Sequence, residues 1–348
     1  MEEHVLLSTE EGEIEIHPEV ALLLSTSGTT GSSKLVKLSY ENLYNNSEYA
    51  DIHLNIEAEQ TGITPLPINY TYGFAFHLWH WHCGATIVTT EKVVLSREFH
   101  ELFAKQKINH IAAVPFTYQM LNRVAFWDDD KVKQLSWAMS GGAQMSDAEQ
   151  KNMVGLLGEK FWIGYGQTEC TCIVCGMNFD RDVIKLGSIG KAFKNMDVYL
   201  DEDTKEMIVH SKSVCMGYAN CVEQLKEGDV NGGILHTGDT AYIDEEGCIF
   251  LTGRLARFIK ILGKRVSLDE IEKYLKTKYN EVEFACVGED EKMEIYYASM
   301  QEEDISLSIK EILVRKMRVP EKFICCHKID EIPRNESGKI QYKRLKGK

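Results

Sequence analysis

Residues whose types and spacing could do chemistry gather in five short segments. The first, Ser25-Thr26-Ser27-Gly28-Thr29-Thr30-Gly31-Ser32-Ser33-Lys34, follows directly on the apolar run VALLL. Its glycines let the backbone turn tightly, its hydroxyls and exposed N–H groups can donate to phosphate oxygens, and Lys34 adds a mobile positive charge. No frame in it leaves four residues between a first glycine and Gly-Lys, so it is not a Walker A loop. Taken alone, such a Ser/Gly stretch is more often a flexible turn. The second, Tyr165-Gly166-Gln167-Thr168-Glu169, follows the apolar KFWIG and places a hydroxyl and a carboxylate where a phosphate and Mg²⁺ could meet them. The third is His236-Thr237-Gly238-Asp239, where a buried aspartate at a turn would suit a two-pronged grip on a ribose diol. The fourth runs from Gly253-Arg254-Leu255-Ala256-Arg257 through Lys260 to Gly263-Lys264-Arg265-Val266, and the fifth is Pro333-Arg334-Asn335-Glu336-Ser337-Gly338-Lys339-Ile340. His77, His80, His82 and Cys83 in HLWHWHC, and Cys170, Cys172 and Cys175, invite a metal reading. Neither group has a standard ligand spacing, so packing of rings and thiols near the active cleft is the stronger expectation.

These segments need elements to hold them. VALLLST at 20–26, ATIVTT at 85–90 and INHIAAVPF at 108–116 are short and rich in β-branched residues, as in strands of a buried sheet. SYENLYNNSEYADI, SREFHELFAKQ and SDAEQKNMVGLLG carry helix-spaced apolar residues behind serine caps, so the first ~170 residues read as alternating α and β. From about residue 186, DVYLDEDTKEMIVHSK and AYIDEEGCIFLTGR read as an antiparallel, barrel-like section. After Arg254 the order is strand, helix (SLDEIEKYLKTKY), strands (EFACVGEDEKMEIYYASM), helix (LSIKEILVRKM) and a polar tail. The expected fold is therefore α/β. A large N-terminal domain, residues 1–253, contains the barrel-like section, and residues 254–348 form a small α+β lid, with the boundary at Gly253–Ala256.

Composition narrows the class. The net charge of −14 argues against a general nucleic-acid binder, which needs a basic face. Residues 254–348 hold 21 Lys+Arg against 17 Asp+Glu, whereas residues 1–253 hold 18 against 36, a contrast that suits a basic lid closing over phosphates. No run of about eighteen apolar residues could span a bilayer. The acidic N-terminus lacks a secretory pattern and the ten cysteines are scattered, so a cytoplasmic protein with free thiols is expected.

In this order and spacing, and with Gly141-Gly142-Ala143 and the GYAN at 217–220, the segments resemble the adenylate-forming superfamily of acyl-CoA synthetases, peptide-synthetase adenylation domains and luciferases, from about Leu22 to Leu345. The resemblance implies roles. Thr26, Ser27, Gly28, Thr29, Thr30, Gly31 and Lys34 would hold the β- and γ-phosphates of ATP, and Gly141, Gly142 and Ala143 would line the adenine site beside Tyr165 and Gly166. Thr168 would touch the α-phosphate, Glu169 would bind Mg²⁺, Asp239 and Arg254 would hold the ribose, and Lys339 would bridge the acyl carboxylate and α-phosphate. The Lys260–Val266 segment would face the pantetheine of the acceptor, either CoA or an acyl carrier protein.

The chain also departs from the family pattern. Ser33 stands where a proline is usual, Ala256 where a hinge Asp or Lys is common, and Tyr70, in the segment that gates the acyl pocket, where many relatives have histidine. No carboxylate lies near Tyr70 to pair with an α-amino group, which points to a simple acyl or aryl acid. Only about twenty residues precede the phosphate loop, whereas relatives carry a large additional segment. A short active enzyme, a split enzyme needing a partner chain, and a non-catalytic nucleotide-binding subunit are all compatible with that.

Overall fold

The computed structural model describes residues 14–25, 34–179, 185–279, 281–299, 304–334 and 340–345. The alternating first part builds a seven-stranded sheet whose spatial order is Thr86–Val88, Thr61–Ile63, His110–Ala113, Trp137–Ser140, Phe161–Tyr165, Cys175–Asn178 and Lys191–Ala192. The first five strands pair in parallel and the last two antiparallel. His110–Ala113 and Trp137–Ser140 are buried at every position, as expected of central strands covered on both faces. Among the covering helices, Arg97–Lys105 and Asp147–Leu157 start at the serines singled out above: Ser96 accepts the Phe99 N–H, and Ser146 forms a reciprocal capping box with Glu149. One core gathers Phe76, Trp79, Trp137 and Met139, and another Phe99, Phe103, Tyr118 and Phe161.

Two elements differ from the sequence reading. Val20–Ser25 does not join the parallel sheet; it pairs antiparallel with Leu35–Ser39, and Gly217–Ala219 adds a third strand on the other side. The chain between Ser25 and Leu35 is too short for a parallel crossover, which takes about a dozen residues or more, so it returns as a hairpin. Thr71–His82 is a helix, and HLWHWHC is its last turns. It is buried at most positions, so its sequence carries no polar stripe by which a helix would be recognised.

The antiparallel section appears where expected, as Asp197–Leu200, Glu206–His210, Ile234–Ile243 and Ile249–Arg254, and its ladder sets Asp239 opposite Arg254. Beyond it lie the hairpin Phe258–Ile261/Lys264–Ser267, helices Leu268–Lys278 and Ser306–Met317, and strands Glu283–Glu289 and Lys292–Ala298. The strand Ile324–Lys328, inside what read as a polar tail, pairs in parallel with Lys292–Ala298. This part has its own core of Ile259, Ile271, Leu275, Phe284, Ile295 and Leu313. No helix among the described residues is long and apolar enough to cross a membrane.

Candidate functional site

Loops leaving the carboxyl ends of Thr61–Ile63, Trp137–Ser140 and Phe161–Tyr165 converge on one recess, the place where sheets of this kind commonly receive ligands. Tyr70, Thr71, Gly141, Gly142, Tyr165 and Thr168 are among its lining residues. Two glycines there admit nothing larger. Gly142 has φ +79°, and a Cβ on it would lie 2.5 Å from the Tyr70 hydroxyl; a Cβ on Gly166 would lie 1.3 Å from the Cys172 carbonyl oxygen. Ala143 is exposed and does not line the recess.

Next to this recess the antiparallel ladder delivers Asp239, whose side chain is buried. Arg254 Nε donates to its Oδ1 at 2.8 Å, and Tyr165 Oη and Gln167 Nε2 donate to Oδ2 at 2.6 and 2.8 Å. The turn is fixed from behind by Glu206, which accepts the Gly238 N–H at 2.9 Å and lies 3.1 Å from His236 Nδ1. Burial, with the nearby Asp239 charge, pushes the Tyr165 phenol well up, so it remains a donor. The Asp239 carboxylate likewise raises Arg254. A carboxylate offers about four acceptor positions, and three are engaged here. A two-pronged grip on a diol therefore requires Tyr165 or Gln167 to yield its place.

Thr168 and Glu169 begin a single 3₁₀ turn directly after the strand Phe161–Tyr165. Thr168 Oγ1 lies 2.7 Å from Thr71 Oγ1, which ties it to the start of the helix Thr71–His82. Glu169 is half-buried; its Oε1 accepts from Tyr218 Oη at 2.8 Å. Lys34 Nζ stands 5.3 Å from the centre of the same tyrosine ring. Among the described residues no group of three or more His, Cys, Asp and Glu side chains could hold a metal. A lone carboxylate nevertheless fits Mg²⁺, which keeps several waters and binds through one or two carboxylates plus substrate phosphates.

The histidine and cysteine sets are occupied by packing. His77 and His80 place Nδ1 2.7 Å from the Gly73 and Phe76 carbonyls, and His80 Nε2 lies 3.0 Å from His110 Nδ1. His82 Nδ1 lies 3.2 Å from Ser47 Oγ. Cys170, Cys172 and Cys175 are buried, and burial pushes their thiols well up. Lys260 lies on an exposed hairpin position and does not line the recess; its N–H donates to Asp290 Oδ1 at 2.7 Å. Thr26, Ser27, Gly28, Thr29, Thr30, Gly31 and Lys339 fall outside the described residues.

Sequence reasoning missed the partners more than the principals. Thr71, Glu206 and Tyr218 each hold a singled-out residue from a distant segment; Tyr218, inside GYAN, and Thr71, next to Tyr70 in the gating segment, had a local signal, and Glu206 had none. It also missed a cluster beside the expected hinge. Arg257 donates to Asp269 and, at 2.6 Å, to Glu272, and its guanidinium stacks 3.7 Å from the centre of the Tyr342 ring. Asp269 also accepts the Arg254 N–H at 2.9 Å.

Comparison with known proteins gives concordant matches. Residues 4–219 match the family of AMP-binding enzymes. The chain is 31% identical to a 4-coumarate–CoA ligase of Humulus lupulus over 98% of this chain and 67% of that protein. It is 29% identical to a luciferin 4-monooxygenase of Luciola mingrelica over 94% of this chain and 63% of that protein. It spans about two thirds of the length of these relatives. In three dimensions it shares the fold of the O-succinylbenzoate coenzyme A synthetase of Bacillus subtilis in complex with AMP, with a TM-score of 0.79 at 21% identity, covering 98% of this chain and 73% of that one.

Proposed function

Because the chain belongs to the AMP-binding enzyme family, we propose that it is an ATP-dependent acid–thiol ligase: it joins a carboxylic acid to AMP, releasing pyrophosphate, and passes the acyl group to a thiol. The observation that carries this reading is the buried Asp239, held by Arg254, Tyr165 and Gln167 at the edge of a glycine-lined recess. Nucleotide hydroxyls would meet Asp239, with the base against Gly141–Gly142. The reaction sets one anion, the carboxylate, against another, the α-phosphate, and so depends on positioning and charge neutralisation rather than a protein nucleophile. Thr168 would donate to the α-phosphate oxygens, Lys339 would neutralise both reacting anions, and Thr26–Gly31 with Lys34 would hold the leaving phosphates. Magnesium at Glu169 would draw charge from those phosphates.

Among the described residues no charged side chain lines the recess, its Tyr70 side included, which supports an acid with an uncharged acyl or aryl tail. The acceptor would be CoA, as the names of the relatives suggest, or the phosphopantetheine of a carrier protein. We place the boundary between residues 1–253 and a lid of 254–348 at Gly253–Ala256, where the chain enters the turn Leu255–Arg257, and the protein in the cytoplasm, since its ten cysteines are free thiols. Incubation with ATP, Mg²⁺, CoA and a panel of acids tests the proposal by its products. AMP, pyrophosphate and an acyl thioester are expected; ADP and phosphate, or no turnover with any acid, would overturn it.

A further inference from the structure

We infer that Tyr218 is a positioning residue that keeps a phosphate-side cation and a metal-side carboxylate apart and aimed, its hydroxyl holding one oxygen of Glu169 while its ring carries the ammonium of Lys34. The inference rests on the reading of Glu169 as the magnesium carboxylate. Two contacts make it: the 2.8 Å bond from Tyr218 Oη to Glu169 Oε1, and Lys34 Nζ at 5.3 Å from the ring centre. The backbone brings both partners to the ring. Tyr218 pairs with Val36 and Ala219 with Leu35, so the ring is fixed beside the point where Lys34 enters its strand. The same segment is pinned to Glu169, whose carbonyl accepts the Cys215 N–H at 2.9 Å. Beyond it, the buried Lys37 donates to the Gln224 and Glu227 carbonyls at 2.9 and 2.8 Å, fastening the chain after Tyr218 to the same strand.

A carboxylate and an ammonium on neighbouring segments would otherwise close into an ion pair, and each would be lost to its ligand. A phenol prevents this. It is a neutral donor that occupies Oε1, and among the described residues no hydrogen bond engages Oε2, which is left for a cation. Its ring face attracts Lys34 without neutralising it, so the ammonium keeps its charge for an anion.

Tyr218→Phe keeps the ring and removes the hydroxyl. ATP binding is followed by calorimetry across a Mg²⁺ titration and again in EDTA, with Mn²⁺ binding read in parallel by electron paramagnetic resonance and Tm recorded. In Tyr218→Phe the half-saturating metal concentration should rise about tenfold, while metal-free ATP binding and Tm stay put. Tyr218→Leu should in addition weaken ATP binding in EDTA, because Lys34 loses its support. Glu169→Gln, run alongside, separates the two claims. If it shifts the metal dependence and Tyr218→Phe does not, the positioning role is overturned and the reading of Glu169 survives. If Glu169→Gln leaves the metal dependence unmoved, both fall.

Discussion

Arg254 and Arg257 stand on the two sides of one short turn and are held in opposite ways. The Arg254 side chain is 64% exposed and reaches a single carboxylate, Asp239, itself only 5% exposed. The Arg257 side chain is 13% exposed, enclosed by Asp269, Glu272 and the Tyr342 ring. When the exposed Arg254 arm returns to water, Asp239 keeps two neutral donors, Tyr165 and Gln167, whereas a buried guanidinium cannot leave Asp269 and Glu272 without stranding its own charge and theirs. Any rotation at the turn would therefore break the Arg254 side and carry Arg257 along with the helix Leu268–Lys278 and the turn Tyr342–Arg344. Ala256, between them, adds no side-chain tie of its own, and this supports the hinge proposed there.

The largest expected effect is on the enclosed arginine. Arg257→Ala should cost about 3–5 kcal/mol of stability, because Asp269 and Glu272 are left unpaired, whereas Arg254→Ala should cost less, about 1–2 kcal/mol, because the one carboxylate it leaves, Asp239, keeps its hydrogen bonds from Tyr165 and Gln167. Thermal and urea midpoints of the two variants check this, and equal losses would break the comparison. Asp239→Ala should next weaken ATP binding by about 10–100-fold through loss of charge-assisted hydrogen bonds, while the fold persists. Calorimetry that found ATP bound as before would remove Asp239 from the nucleotide site.

An effect of another kind, read by pH rather than by the loss of a charge, concerns a buried pair with no counter-charge among the described residues. Burial holds His80 down to about 4, with His77 lowering it further, and holds His110 to about 3, with His80 lowering it further. Both are neutral in the folded protein, and in the unfolded chain each takes up a proton below about pH 6.5. Their contribution is thus complete above pH 6.5 and is lost as pH falls toward 4 and then 3, by up to about 1.4 kcal/mol per pH unit for each group. Tm should be level from pH 8 to 7 and decline between pH 6.5 and 5. His110→Phe should flatten that decline, and an unchanged slope would place the acid sensitivity elsewhere.

The parts of the molecule that could be read from sequence are those written locally. Apolar runs, serine caps and Asp/Gly turns are specified within a dozen residues, so the alternating sheet, the antiparallel section and the helix Leu268–Lys278 were legible. Asp239 and Arg254 were legible as a pair by resemblance, but their contact comes from ladder register, and the filling of Asp239 by Tyr165 and Gln167 depends on loops from another sheet. Thr71 with Thr168, and Tyr218 with Glu169, join segments 97 and 49 residues apart and leave no periodic mark. The helix Thr71–His82 escaped for the opposite reason: it is buried at most positions, so no face is left polar.

The central claim is that this chain activates a carboxylate as its adenylate, and acid-dependent exchange of pyrophosphate into ATP tests it most directly. Wild-type protein and Lys339→Ala should be assayed side by side over a panel of acyl and aryl acids. Exchange is expected with at least one acid, and a loss of about 10²–10³-fold in the variant, the scale of a preorganised electrostatic group. Exchange that needs no acid, or that survives intact in Lys339→Ala, would contradict the claim.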